Sequence, residues 1–394
     1  MARVVVGLSG GVDSSVAAWL LKEQGHDVIG LFMRNWNDAS PTLEDECPWI
    51  DDSRDAMMVA EQLGIPFQIL DLSAAYKTRI VDYMFAEYAA GRTPNPDVLC
   101  NREIKFDLFL QNALKLGADF VATGHYVQKD SVNVDGEHFY RLLRGKDPNK
   151  DQSYFLCQLN QQQLSKALFP IGHLQKLEVR DLATKAGLHV HNKKDSQGLC
   201  FIGKVSLPDF LQQQLKPKEG DVILIDRAAP SVLAHVQRMQ EHESFDAWVR
   251  KPGLSRNEGK VVGKHKGAHY YTIGQRRGLQ IGGTGLPLFV LQTDVKENII
   301  YVGLGEDHPA LLSRALEADM AGIHWVNPSA LKQVLNGEKL KARIRYRQAL
   351  FDCNLKMTES RQFCVFNIPQ RSVTPGQFLA VYLGEELICS ATIK

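Results

Sequence analysis

Val4-Val5-Val6-Gly7-Leu8-Ser9-Gly10-Gly11-Val12-Asp13-Ser14-Ser15 is the stretch from which the rest of the chain is read. Val4 to Leu8 is short and wholly apolar apart from Gly7, the pattern of a strand buried on both faces. The turn that follows opens a helix, read as Val16 to Glu23 and closed by Gly25. Gly10 and Gly11 let the backbone come close to a ligand. The first N–H groups of the helix, aided by its dipole, form a site for an anion. The hydroxyls of Ser9, Ser14 and Ser15 add donors.

Outward from this loop, strand and helix signals alternate. Val28 to Met33 reads as a second buried strand, Ser53 to Leu63 as a helix stopped by Gly64, and Pro66 to Leu70 as a third strand. Helices follow over Ser73 to Ala90 and Val98 to Leu116, each closed by glycine, and Phe120 to Gly124 is a further strand. This alternation predicts an α/β fold, a doubly wound parallel sheet with its ligand at the carboxyl ends of the strands. After about residue 205 the texture changes to short β-like runs: Val261 to Gly263, His269 to Ile273, Leu288 to Gln292, Ile299 to Val302, Arg343 to Tyr346 and Phe378 to Leu383. These predict a small β-rich central domain and a C-terminal β-barrel. The expected boundaries are 1–206, 207–288 and 289–394. Asp226 to Glu258 is polar and rich in breakers, and is expected to be a surface insertion away from the nucleotide site.

The chain has 394 residues, ample for a large core without disulfides. Lys and Arg total 46 against 45 Asp and Glu, so a wholesale polyanion coat is excluded while a local basic patch is not. No apolar run approaches the roughly 20 residues that span a bilayer. The amino terminus lacks a secretory pattern, so a cytosolic protein without membrane contact is expected. Seven cysteines with no Cys-x-x-Cys point away from a disulfide framework, zinc ribbons and thioredoxin-like motifs.

The loop is not a Walker A motif, because no lysine stands in it, nor is it Gly-x-Gly-x-x-Gly. Its order, Ser-Gly-Gly-x-Asp-Ser, resembles the PP-loop of the ATP pyrophosphatases, which cleave ATP between the α and β phosphates. Two cysteines have suggestive surroundings. In Asn95-Pro96-Asp97-Val98-Leu99-Cys100-Asn101, Asp97 reads as an N-cap, with Cys100 in the first turn, where helix potential favours thiolate. In Ser196-Gln197-Gly198-Leu199-Cys200-Phe201, the thiol stands in a loop. Taken alone, Asp97 can be only a cap and each cysteine only a small buried hydrophobe. Spacing does not link the two thiols.

Several longer motifs go further: Leu31-Phe32-Met33-Arg34-Asn35-Trp36, Gly91 through Asn101, Ala122-Thr123-Gly124-His125-Tyr126, Asn149 through Leu156, Gly198 through Gly203, Tyr271 through Leu279 and Thr374-Pro375-Gly376-Gln377. With the loop, they make nearly the whole chain resemble the tRNA-specific 2-thiouridylase family. The resemblance implies ATP-dependent exchange of sulfur for O2 of the wobble uridine in tRNA. The uracil oxygen becomes an adenylate, with ATP as substrate and Mg²⁺ in support. A sulfur-relay protein delivers a persulfide to Cys200, and its terminal sulfur attacks C2. Cys100 attacks that persulfide or releases sulfide from it, leaving a transient Cys100–Cys200 disulfide. By the same carry-over Asp97 is the general acid/base, and Asn95, Pro96 and Asp97 touch the target base. Gly7, Leu8, Ser9, Gly10, Gly11, Val12, Asp13, Ser14, Ser15, Met33 and Gly124 line the ATP site. His125, Lys150, Asp151, Gln152, Arg345, Tyr346 and Gln377 contact tRNA.

Independently of the resemblance, Lys341, Arg343, Arg345 and Arg347 alternate along a predicted strand and would form a cationic ladder on one face. Gln275-Arg276-Arg277-Gly278 is a second basic loop. The wobble base would have to be flipped to reach the thiols. His189 and His191 straddle Val190 on a predicted strand, without a third metal ligand nearby in sequence. Two other readings stay open. A different PP-loop ligase using ammonia would need no thiols, and a non-catalytic RNA-binding adaptor would not need Asp13.

Overall fold

The computed structural model describes residues 1–36, 48–194, 207–241, 244–319 and 321–394. Cys47 and Cys200, with the rest of the Ser196 to Phe201 motif, lie outside the described residues. The strands of the first region are β1 (Arg3–Gly7), β2 (Asp27–Arg34), β3 (Phe67–Asp71) and β4 (Phe120–Ala122), then a hairpin of β5 (Val127–Val134) and β6 (Glu137–Arg144), and β7 (Ala167–Leu168). β3-β2-β1-β4-β7 form a parallel sheet of five strands, with β1 at its centre. Val4, Val6 and Leu8 pack into the core on one face of this sheet, while Val5, Leu31 and Met33 pack into the core on the other. The wholly apolar β1 is thus explained by burial on both sides. Helix α1 (Val12–Glu23) follows β1 directly, starting four residues earlier than the sequence pattern indicates, and α2 (Pro48–Leu63) precedes β3.

The helical run before β4 is continuous through three segments, Pro96–Leu99, Cys100–Leu108 and Phe109–Lys115, the middle one wound as a π-helix. Because it returns to a parallel strand, its amino end lies at the carboxyl edge of the sheet. Phe109 of this run stands beside Gly7 at the end of β1. Cys100 stands nine residues before Phe109, on the amino-terminal side of this run.

The central domain is a four-stranded sheet in the order Leu288–Asp294, Ile299–Leu304, Gly220–Ile225, Gly259–His265. The expected boundary at 288/289 would cut this sheet in two, since Leu288–Asp294 and Ile299–Leu304 complete it, so the division falls after Leu304. His269 to Ile273, expected as a strand, is a 3-10 turn at Ala268–Tyr270 followed by loop. The C-terminal region forms a nine-stranded antiparallel sheet with an addition the sequence did not reveal. Leu142 and Leu143 of β6 pair with Leu387 and Glu386, so the β5–β6 hairpin of the first domain extends the C-terminal sheet.

The segment 226–258 is not a surface excursion. It forms helices Pro230–Gln240 and Phe245–Val249. Ala229, Val232 and Leu254 join Ile223 and Ile225 in the central core. Trp248 is buried against Ala315 and Val365 of the C-terminal sheet, with the Arg314 guanidinium 4.2 Å from its ring centroid. Its indole N–H donates to the Glu241 carbonyl at 3.0 Å. The segment therefore joins two domains. Trp248→Ala is expected to lower stability by about 3–5 kcal/mol while leaving ATP affinity unchanged within twofold. Denaturant unfolding and nucleotide titration check both halves of this expectation.

Candidate active site at the carboxyl edge of the parallel sheet

The anion cradle is built by the turn between β1 and α1. Gly10 has φ +71°, the left-handed region open to glycine. A Cβ there would stand 2.2 Å from the Asp52 carbonyl oxygen, so α2 closes the back of the loop. Ser9 N–H donates to Ser14 Oγ at 3.2 Å, and the Ser14 and Ser15 hydroxyls donate to the Gly11 carbonyl at 3.2 and 2.7 Å. Behind the loop, Lys193 Nζ donates to the Gly10 carbonyl at 3.0 Å and to Asp52 Oδ1 at 2.8 Å, and it also bonds Asp55. Burial alone would raise the Asp55 carboxyl, but hydrogen bonds from Lys193 and His189 outweigh it and hold the group below its usual range. Gly124, just past β4, faces the first turn of α1, where a Cβ would meet the Ser14 nitrogen at 2.6 Å. Met33 lies buried beside Gly7. The residues expected to hold the nucleotide are therefore gathered at one place.

The second element is the start of the helix bearing Cys100. Asn95, not Asp97, is its N-cap: the Asn95 Oδ1 accepts from Val98 N–H at 3.2 Å, and Pro96 occupies the first helical position. Pro is favoured there because its missing N–H is not needed. Asp97 is thus the second helical residue. It is partly exposed at the helix mouth. Cys100 is the fifth, beyond the first turn where the dipole acts most, and is fully buried. Asn101 fastens this turn, donating to the Asp97 carbonyl at 3.0 Å and the Phe155 carbonyl at 3.2 Å.

The C-terminal domain holds the approach to this helix. The Gln377 amide donates to the Thr93 and Pro94 carbonyls at 3.0 and 3.2 Å, and Thr93 N–H donates to the Pro375 carbonyl at 2.9 Å. The Asn95 amide reaches back to Gln377 Oε1 at 3.4 Å. Thr374-Pro375-Gly376-Gln377 thereby braces Asn95 to Asp97 across 280 residues of sequence, which no local pattern could reveal.

Residues 2–204 match the family profile described as tRNA methyl transferase HUP domain, residues 251–304 the corresponding PRC-barrel domain, and residues 317–393 the aminomethyltransferase beta-barrel domain. The tRNA-specific 2-thiouridylase MnmA of Christiangramia forsetii is 58% identical over 395 residues, covering all of both chains. The protein of the same name from Flavobacterium johnsoniae is 57% identical over 397 residues, again covering both chains fully. This chain belongs to the tRNA-specific 2-thiouridylase family. The relative from Alkaliphilus oremlandii, 46% identical over 99% of this chain and 96% of its own, extends the likeness to more distant members.

Several residues expected to touch tRNA as family members are turned inward. Asp151 is buried: its Oδ1 accepts from Gly145 and Ser153 N–H at 3.2 and 3.1 Å, and its Oδ2 from Arg343 and Arg144 at 2.7 and 3.3 Å. Gln152 caps Tyr126 N–H at 2.9 Å, while Lys150 beside it is partly exposed. The cationic ladder does not form. The strand ends at Arg343, which is buried in its pair with Asp151, and Arg345 donates to the Ser372 carbonyl. Only Lys341 and Arg347 of the four are exposed. Tyr346 packs on Phe155 with ring centroids 4.2 Å apart. His189 and His191 lie on a 3-10 turn; the former bonds Gln62 and Asp55, the latter the Leu188 carbonyl.

His125 is also buried, between Phe106 and Phe169, and shares a 2.8 Å hydrogen bond with Thr123. Burial, aided by the charge of Lys105, drives its pKa well below the ordinary value. The unfolded chain takes up a proton on this ring as pH falls through about 6.5, while the folded chain does not. Its contribution to stability is therefore full above that pH and is lost below it, by up to about 1.4 kcal/mol per pH unit. His125→Gln should make the decline in unfolding free energy from pH 6.5 to 5.5 shallower by about 1 kcal/mol. An unchanged decline would contradict a neutral buried ring.

One residue that sequence spacing did not single out is Asn35, at the carboxyl end of β2. It is buried, and neither its amide nitrogen nor its oxygen has a hydrogen-bond partner among the described residues. A buried orphan amide costs about 1–3 kcal/mol per group unless something fills it. It stands two positions after Met33, one residue past the end of β2.

Proposed function

We propose that this protein is an ATP-dependent tRNA-uridine 2-sulfurtransferase acting on the wobble position. The reading is carried by one juxtaposition: a glycine cradle for phosphate at the end of β1, and a cysteine-bearing helix start braced at the same sheet edge. ATP lies with its phosphates on the Gly10 to Ser15 turn and its base toward Met33 and Gly124. A side chain at Gly10 or Gly124 would strike the backbone of α2 or α1, so both positions stay bare. Mg²⁺ bound to the nucleotide would be held by Asp13, the one carboxylate of the loop, and would neutralise phosphate charge.

The uracil O2 attacks the α-phosphorus, the bond to the β-phosphate oxygen breaks, and pyrophosphate leaves with the electron pair. Asp97 takes the N3 proton. The terminal sulfur of a persulfide on Cys200, delivered by a donor protein, then attacks C2, and AMP departs with the former carbonyl oxygen. Cys100 attacks the sulfur of Cys200, so that the bond to the transferred sulfur breaks and a Cys100–Cys200 disulfide remains. Because Cys100 is fully buried, the base must leave the anticodon stack to reach it. Incubation with unmodified tRNA, ATP, Mg²⁺ and a persulfide donor, followed by digestion and mass spectrometry, is expected to reveal 2-thiouridine. An amidated or unchanged uridine would defeat the reading.

A further inference from the structure

The loop between β1 and α1 poses an electrostatic problem. From Gly7 to Ser15 it contains no cation and one acid, Asp13, yet a polyphosphate is to settle on it. The structure brings a cation from 163 residues away. Lys176, the first residue of the helix Lys176–Lys185, places Nζ 2.7 Å from Asp13 Oδ1. The Tyr126 hydroxyl donates to the same oxygen at 2.7 Å, and the ammonium lies 5.8 Å from the Tyr126 ring centroid. The lysine side chain is only 11% exposed, so its charge acts with little screening by water. Its backbone N–H is fixed by Asp147 Oδ2 at 3.0 Å, which anchors the residue while the long stem can still turn. Lys193, the other lysine touching the loop among the described residues, sits behind it between Asp52 and Asp55, its charge already balanced.

We propose that Lys176 is the phosphate-binding cation of this site, doing for this loop what the P-loop lysine does from within a Walker motif. The inference rests on the nucleotide reading given above. When ATP enters, the ammonium turns from Asp13 to the β- and γ-phosphate oxygens. As the α–β bond breaks, the charge that develops on the departing pyrophosphate falls beside this lysine. AMP, which lacks those phosphates, gains nothing from it.

The test compares ATP and AMP binding by calorimetry in the full chain and in Lys176→Met, together with pyrophosphate release in the presence of tRNA. Lys176→Met is expected to bind ATP about tenfold to a hundredfold more weakly, the loss of a charge-assisted bond, and AMP within twofold of the parent. Pyrophosphate release should fall by more than ATP affinity alone explains, and Lys176→Arg should recover most of it. Should Lys176→Met not fold, Lys176→Gln serves, with the same expected ratio. Equal weakening of ATP and AMP, or no change in either, would overturn the proposal and leave Lys176 as a structural partner of Asp13. Failure of the parent itself to bind ATP or release pyrophosphate would instead overturn the underlying reading.

Discussion

Gly10→Ala is expected to lose ATP binding by at least a hundredfold and to lower stability by about 2–5 kcal/mol. Two effects add. The residue sits at φ +71°, which costs a side-chain-bearing residue about 1–2 kcal/mol. The added methyl would also overlap the Asp52 backbone oxygen, 2.2 Å from the ideal Cβ position. That oxygen belongs to α2 and cannot rotate away like a flexible side chain. Either α2 moves off the loop, breaking the Lys193 links among Gly10, Asp52 and Asp55, or the loop moves and its N–H groups lose their aim. Denaturant unfolding and ATP titration read the two consequences separately. An alanine variant that bound ATP within twofold of the parent would show that the Gly10 turn is not the cradle.

Cys100→Ser is expected to reduce 2-thiouridine formation on the order of a thousandfold or more while leaving pyrophosphate release within about threefold of the parent. Activation of the oxygen precedes any use of this thiol, so the first half-reaction should continue without it. The fold should survive, since the change nearly conserves volume, although burying a hydroxyl at a fully buried position costs about 1–3 kcal/mol unless it finds a partner. Cys100→Ala, which buries no hydroxyl, separates that cost from the chemistry. Retention of thiolation in both variants would show that sulfur transfer does not depend on the Cys100 thiol.

The central features were legible in the sequence because their signals are local. An apolar run buried on both faces, two glycines and a helix opening identify β1, the cradle and α1 within a dozen residues. What escaped depends on partners far away in the chain. The β5–β6 hairpin is polar along most of its length, Val127-Gln128-Lys129-Asp130-Ser131-Val132-Asn133-Val134 showing no clean alternation, and its Leu142 pairs with Leu387, far later in the chain. The alternating Lys341 to Arg347 pattern predicts one exposed face, but periodicity cannot see that the strand ends at Arg343 or that Asp151 draws this arginine inside. Lys176 belongs to no motif and gains meaning only from its distance to Asp13. The Asn95 cap, by contrast, had a sequence signal: Pro96 marks the first helical position, so the cap falls one residue earlier. Trp248 was hidden because the charges and breakers of 226–258 outweigh its short apolar run with Phe245, Ala247 and Val249.

The claim on which the rest depends is that nucleotide is consumed to make a uracil oxygen a leaving group for sulfur. Its most direct measurement is the nucleotide product formed alongside each sulfur transferred, with unmodified tRNA, ATP and a persulfide donor. One AMP and one pyrophosphate per 2-thiouridine is the expected result. Release of ADP and phosphate, or thiolation that proceeds without ATP, would contradict the account.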